Sequence, residues 1–290
     1  MQADDMKSPA FWKSIAPGLH IADLSFLRDQ QVLEPSVQDL HAGAELMRVE
    51  GYFQGSVGNW GADPKVLADT VRALCARELS PVFAFIYDEF WLPFHKLHRV
   101  FENLLGGRYY LLPDFWVWNV DPQKGESGWR PHRDKGYAAL LPNRSPKSLT
   151  TWIPLSTTTP LNGCMYIVPA MLDPTYGTDQ DKEWRFEFSS IRALPGGPGD
   201  FFIWNQSVLH WGSKTSPRAP ESRVSMAFEF QRADVPAFNA PLIDPLINLS
   251  FEQRLNLIAK QILQYRHMYK LEPNVERMAL SILPQPVPAA

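Results

Sequence analysis

The run Arg223-Val224-Ser225-Met226-Ala227-Phe228-Glu229-Phe230 decides how this chain folds. Alternate side chains of an extended strand point to opposite faces. Val224, Met226, Phe228 and Phe230 therefore share one face, and Arg223 and Ser225 share the other. A strand with one wholly apolar face belongs to a sheet packed on a core. An inward guanidinium on its other face is costly unless it meets an anion.

Working outward, similar short runs separated by Gly, Pro, Asn and Asp fill the second half. Strands are predicted near Phe115–Val120, Leu149–Leu155, Cys164–Pro169, Asp200–Trp204, Val208–Trp211 and Val224–Gln231. Several short strands at these intervals make a jelly roll or small barrel. The first half reads as helix instead: Pro35–Arg48, then Asp63–Leu79 with Asp63 as cap and Pro64 in the first turn. Val82–Leu105 reads as one helix or a broken pair, kinked at Pro93 and stopped by Gly106-Gly107. Phe251–Lys270 returns to helix, with an apolar stripe suited to packing on the barrel, and the tail LPQPVPAA reads as loose.

The expected architecture is mainly β with flanking helices around a double-stranded β-helix (jelly-roll, cupin-like) core. It forms a single domain over residues 1–290. A mainly helical N-terminal region (residues 1–110) packs on the barrel, the core spans residues 111–235, and a C-terminal helical extension spans residues 236–290.

The bulk numbers are those of a globular protein: 290 residues, 45% hydrophobic and 20% charged. A net charge of −3 gives no sign of nucleic-acid binding. No signal peptide and no run of roughly 20 apolar residues is visible, and a cytoplasmic location is expected. Cys75 and Cys164 are two lone cysteines, read as buried small hydrophobes rather than a disulfide framework.

The chemistry gathers in Trp129-Arg130-Pro131-His132-Arg133-Asp134. On extended backbone His132 and Asp134 reach one point, and a His with a carboxylate suits a borderline divalent metal. His210, on a different strand, supplies a second imidazole. Two His and one carboxylate on one face of iron(II) leave positions for a bidentate 2-oxo acid and dioxygen. Arg223 and Ser225, thirteen and fifteen residues after His210, then present a guanidinium suited to the distal carboxylate of 2-oxoglutarate.

Five ordered segments now resemble the phytanoyl-CoA dioxygenase family of iron/2-oxoglutarate enzymes over roughly residues 114–232. They are His132-Arg133-Asp134, Thr151-Trp152-Ile153-Pro154-Leu155, Asn162-Gly163-Cys164-Met165-Tyr166-Ile167-Val168-Pro169, Pro198-Gly199-Asp200-Phe201 running on to His210-Trp211-Gly212-Ser213, and Arg223-Val224-Ser225. The resemblance implies His132, Asp134 and His210 as iron(II) ligands, with 2-oxoglutarate and dioxygen as cosubstrates. It implies Arg223 and Ser225 at the distal carboxylate, and Trp152 and Ser213 lining that pocket. The chain departs from the family pattern at Ala170-Met171-Leu172, at Ser156-Thr157 and at Trp211, which looks inserted. These departures bear on loops and substrate class, not on the triad.

The implied reaction is hydroxylation of an unactivated C–H in a small or lipid-linked substrate, releasing succinate and CO2. A carboxylate at Asp134 favours hydroxylation over halogenation. The same scaffold also admits desaturation, cyclisation or epimerisation. Rival readings are a cupin-like metal isomerase or hydrolase without 2-oxoglutarate, and a non-catalytic ligand-binding barrel.

Between Asp121 and Lys147 six basic residues face three acids. That stretch reads first as a solvated loop, with attraction of an anionic substrate as its functional alternative. His95 and His98 read as structural, and the polar stretch Leu172–Ile191 is a candidate lid. Oligomeric state is open.

Overall fold

The computed structural model describes residues 2–268 and 271–283. Among the described residues eight strands form two antiparallel sheets: β1 Tyr52–Ser56, β2 Tyr109–Val120, β3 Ser148–Pro154, β4 Met165–Val168, β5 Arg192–Leu194, β6 Asp200–Asn205, β7 Leu209–Gly212 and β8 Arg223–Arg232. The larger sheet runs β1-β6-β3-β8-β2 and the smaller β5-β4-β7. This is the expected jelly-roll core with flanking helices.

The alternation read on β8 governs the packing. Val224, Met226, Phe228 and Phe230 enter the large core between the five-stranded sheet and the helices, together with Leu149, Ile153, Phe201 and Ile203. The opposite faces of the same strands send Trp116, Trp152, Phe202, Trp204 and Ala227 into a second core inside the barrel. Phe228 stacks on Phe115 at 5.1 Å, and Phe230 stacks on Phe101 of the helix His98–Leu105 at 4.0 Å.

Helix ends follow local chemistry. Ser36 caps Val37–Glu50 through Asp39 N, and Asp63 caps Pro64–Ala76 through Lys65 N. Ser250 and Gln253 form a reciprocal capping box at the start of Phe251–Gln264.

The stretch Val82–Leu105 departs from the reading of one helix or a broken pair. It forms four short pieces: Pro81–Ile86, Asp88–Phe90, Leu92–Lys96 and His98–Leu105. Pro93 opens the third piece rather than kinking a longer one, and Gly106 ends the fourth in a left-handed conformation. The physical reason is Asp88 and Glu89, which turn inward. Asp88 accepts the Ala22 and Asp23 amides and pairs with buried Arg254, while Glu89 accepts the His20 amide and pairs with its ring. Strands β1 and β5 and the helix Pro273–Ile282 were not anticipated. The last two residues of the helix expected to reach Lys270, and 284–290 of the tail, lie outside the described residues.

Candidate functional site

Backbone contacts bring the two histidines together. His132 is not in a regular strand; it forms an isolated bridge with His210 at the start of β7, each amide donating to the other's carbonyl at 3.0 Å. Beyond it, the amides of Lys135 and Gly136 both donate to the Gln206 carbonyl, which pins the segment carrying Asp134 to the β6–β7 turn. On the far side of His132, a Cβ on Gly212 would lie 2.7 Å from the Cα of Gly128. Only glycines at both positions let these backbones pass so closely.

The result is a cluster in which one ligand atom each from His132, Asp134 and His210 lies within 4.8 Å of the others. Asp134 Oδ1 is 3.4 Å from His132 Nε2 and 3.5 Å from His210 Nε2. The Nδ1 atoms face backbone carbonyls, of Arg130 at 2.7 Å and Val208 at 3.1 Å. An N–H at Nδ1 leaves each Nε2 as a bare lone pair aimed at the shared point, the tautomer a metal ligand needs. The other carboxylate oxygen, Oδ2, is held by Thr150 Oγ1 at 2.7 Å and Trp204 Nε1 at 3.1 Å; Gln206 Nε2 in turn donates to Thr150 Oγ1.

Electrostatics agree with a cation site. Burial raises the Asp134 carboxyl, but the neighbouring His210 and His132 outweigh it and hold it well below its usual range. Burial drives the His210 imidazole down to about 4. Burial also lowers His132, yet the Asp134 carboxylate overrides it and leaves that imidazole above its ordinary value. Two lone pairs and one carboxylate converge, and among the described residues no Lys or Arg is placed between them.

The triad lies in a cavity whose walls include Trp152, Met165, Gly212 and Arg223. Arg223, on the inward face of β8, is 2% exposed and has no carboxylate partner among the described residues; its Nη1 donates to the Gly163 carbonyl at 2.8 Å, and its Nε has no partner. Burial drags the guanidinium down to about 10, which leaves it charged at neutral pH. Ser225 Oγ and Trp152 Nε1 are buried without partners as well, and the Arg223 guanidinium sits 5.8 Å from the Trp152 ring centroid. A buried cation with unsatisfied donors beside it is a receptor for an anion. A dicarboxylic acid chelating a metal at the triad fits that donor set.

Neither Ser213 nor Ser225 is on the cavity wall, and the Ser213 hydroxyl, like that of Ser225, is buried without a hydrogen-bond partner. Gly212 forms the cavity wall, and the Ser213 hydroxyl lies instead by Tyr166. Trp211 stacks on Tyr166 at 5.8 Å and is not on the wall. No residue of 172–191 lines this cavity. His95 and His98 stand apart from the cluster: His95 Nε2 faces the Gln30 carbonyl at 3.3 Å, and buried His98 meets the Tyr109 hydroxyl at 2.8 Å.

Sequence reading passed over Thr150, Gln206 and Glu229, while Trp204, read as core or pocket wall, lines the cavity. Thr150 and Glu229 face each other across β3 and β8, and Glu229 lines the cavity while pairing with Lys135. Burial pushes the Glu229 carboxyl upward against the pull of Lys135. The only available signal was Glu229's place on the Arg223 face, six residues along.

An antiparallel jelly roll enclosing two histidines and a carboxylate on one face defines a cupin-like metal-dependent oxygenase fold. Residues 61–219, more than half the chain, match the phytanoyl-CoA dioxygenase (PhyH) family, and the chain belongs to that family. Its cofactors are iron(II) and the cosubstrates 2-oxoglutarate and dioxygen. No curated protein matches the chain.

Among solved structures, the chain resembles the epimerase SnoN from nogalamycin biosynthesis, in complex with Fe3+, alpha ketoglutarate and nogalamycin RO. The two are 20% identical with a TM-score of 0.54, over 74% of this chain and 96% of that one. EctD from S. alaskensis, in its apoform, is 16% identical with a TM-score of 0.53, over 80% and 97%. The non-heme monooxygenase ThoJ is 14% identical with a TM-score of 0.54, over 82% and 99%. At these identities the likeness is one of fold. Among the described residues no helix is long and apolar enough to cross a membrane.

Proposed function

We propose that the chain hydroxylates an unactivated C–H of a small or lipid-linked substrate, with 2-oxoglutarate converted to succinate and CO2. His132, Asp134 and His210 are the iron ligands in this reading, and Arg223 with Ser225 holds the distal carboxylate of the cosubstrate. The observation that carries it is Arg223: a guanidinium 2% exposed, without a carboxylate partner among the described residues, in the same cavity as the triad.

Bound iron supplies the oxidising chemistry, coupling dioxygen and the oxidative decarboxylation of 2-oxoglutarate to attack on the substrate. The chain's own residues orient and protect. The Nδ1 contacts to Arg130 and Val208 fix the two imidazole planes. Thr150 and Trp204 occupy Asp134 Oδ2, so Oδ1 alone is turned toward the histidines. Arg223 and Ser225 fix the far end of the cosubstrate by charge and hydrogen bonding, while Trp152, Met165 and Ala227 supply apolar wall between the two ends and exclude water.

The test is incubation of iron-loaded protein with 2-oxoglutarate and a metabolite library, following succinate and product mass together. Succinate release coupled to a product heavier by one oxygen atom supports the proposal. Succinate coupled to a product that gains no oxygen assigns desaturation, cyclisation or epimerisation instead.

A further inference from the structure

We infer that the substrate reaches the triad along an aromatic, acidic groove that selects a positively charged group, an amine or a quaternary ammonium. The inference rests on the proposed function only for what lies at the groove's inner end.

Trp116, Trp118 and Trp129 line the triad cavity and also line a neighbouring groove of about 830 Å³. Trp116 and Trp118 are two apart on β2, so their rings stand side by side, 6.2 Å apart and 15° from parallel. Trp129 meets both nearly at right angles, at 4.4 Å and 5.6 Å. Trp129 packs edge-to-face on both rings and Tyr265 lies against Trp116 at 4.3 Å, so the half-buried Trp118 and Trp129 are what present aromatic surface to the groove; this surface adjoins the metal site, the Trp129 ring being 5.6 Å from the ring of His132. A cation held against such faces is attracted by the negative potential of the π cloud.

The polar lining has one sign. Glu78, Glu126 and Glu272 line the groove, and among the described residues no Lys or Arg does. Gln261, also on the wall and 3% exposed, spends its amide N–H on the Phe115 carbonyl at 2.7 Å, and its Oε1 has no partner. It is a buried acceptor waiting for a donor. Inside the cavity the Glu229 carboxyl is already paired with Lys135 and adds no free charge of either sign, and among the described residues the only Arg or Lys on the cavity wall is Arg223, at the opposite end of the β8 face.

The basic stretch 121–147 does not reverse this balance, because none of its six Lys and Arg residues lines the groove or the cavity. Arg133 and Lys135 are paired with Asp173 and Glu229. A phosphate or carboxylate in the groove would meet like charge and few donors; an ammonium meets π faces and carboxylates.

The experiment uses the full chain loaded anaerobically with Fe(II) and 2-oxoglutarate, titrated calorimetrically with benzyltrimethylammonium and with the anion benzylphosphonate. The cation is expected to bind at least tenfold tighter. The variants W118L and E78Q/E126Q should each weaken it about fivefold or more; the second alters exposed carboxylates, so loss of folding does not cloud it. Equal binding of the two probes, or cation binding indifferent to both variants, overturns the inference. The 2-oxoglutarate dissociation constant, measured on the same wild-type sample, separates the two claims. Tight 2-oxoglutarate with no cation preference sinks the groove assignment alone. A cation preference that depends on Trp118 with no 2-oxoglutarate binding supports the groove and sinks the proposed cosubstrate site.

Discussion

The main chains of His132 and His210 exchange two hydrogen bonds, each 3.0 Å long, which hold their rings 4.4 Å apart between centroids. The geometry of the triad is thus set by backbone, not by the imidazoles themselves. His210→Ala should leave the fold intact and remove metal binding. Succinate release is expected to fall by more than the roughly 10–100-fold typical of losing an outer hydrogen-bond partner. Circular dichroism and metal content of the purified variant check both halves.

Thr150→Val tests how Asp134 is aimed. The substitution keeps the shape but removes the 2.7 Å bond to Oδ2 and strands Gln206 Nε2 without its acceptor. Metal affinity should drop about 10–100-fold. Stability should drop by about 1–3 kcal/mol from the unsatisfied buried groups. A metal titration and a urea melt report the two effects separately.

Arg223→Met gives opposite signs in two assays. Without cosubstrate, a buried unpaired charge is replaced by a thioether, and the apo protein should melt no lower than the wild type. With metal present, 2-oxoglutarate at a hundred times its Kd should stabilise the wild type by about 2.7 kcal/mol and the variant hardly at all. Thermal melts with and without 2-oxoglutarate measure this.

Metal binding competes with protons at the ligand atoms. Of the three proposed ligands, His132 is the one that protonates first on acidification, because the Asp134 carboxylate holds its imidazole above the ordinary value despite burial. Affinity for Mn(II), used as a redox-stable stand-in, should therefore be constant at alkaline pH and fall by about tenfold per pH unit below the His132 pKa. Titrations at pH 8, 7 and 6 check the direction; affinity that rises on acidification contradicts it.

Far from the site, Arg254→Ala should destabilise the protein by about 3–5 kcal/mol, because it leaves Asp88, 0% exposed, without its charge partner. Chemical denaturation measures it. The same pair explains where the sequence misled. The apolar spacing from Val82 to Leu105 looks helical, but nothing local reveals that Asp88 and Glu89 turn inward to bind amides near residue 20, which breaks the run. Strand β8, by contrast, was legible because burial of one face against the helices imposes a period of two, whereas the first half of β2, Tyr109 to Asp114, went unread although Tyr109 and Leu111 enter the same core. Strand β1 was not legible, since Gln54 and Gly55 interrupt any alternation. Arg223's place on the inward face of β8 could be read because it follows strand alternation, whereas His132 and Asp134 lie outside the regular strands and were singled out through the ordered motifs. The bonds of Thr150 and Trp204 to Asp134, and of Gln206 to Thr150, could not be read, because they form only through tertiary approach.

The most direct test is a crystal structure of the protein prepared anaerobically with Fe(II) and 2-oxoglutarate. The expected result is one metal ion bonded to His132 Nε2, His210 Nε2 and Asp134, chelated by the 2-oxo acid end, with the distal carboxylate against the Arg223 guanidinium. A metal bound elsewhere, or a dicarboxylate that leaves Arg223 without a partner, would contradict the account.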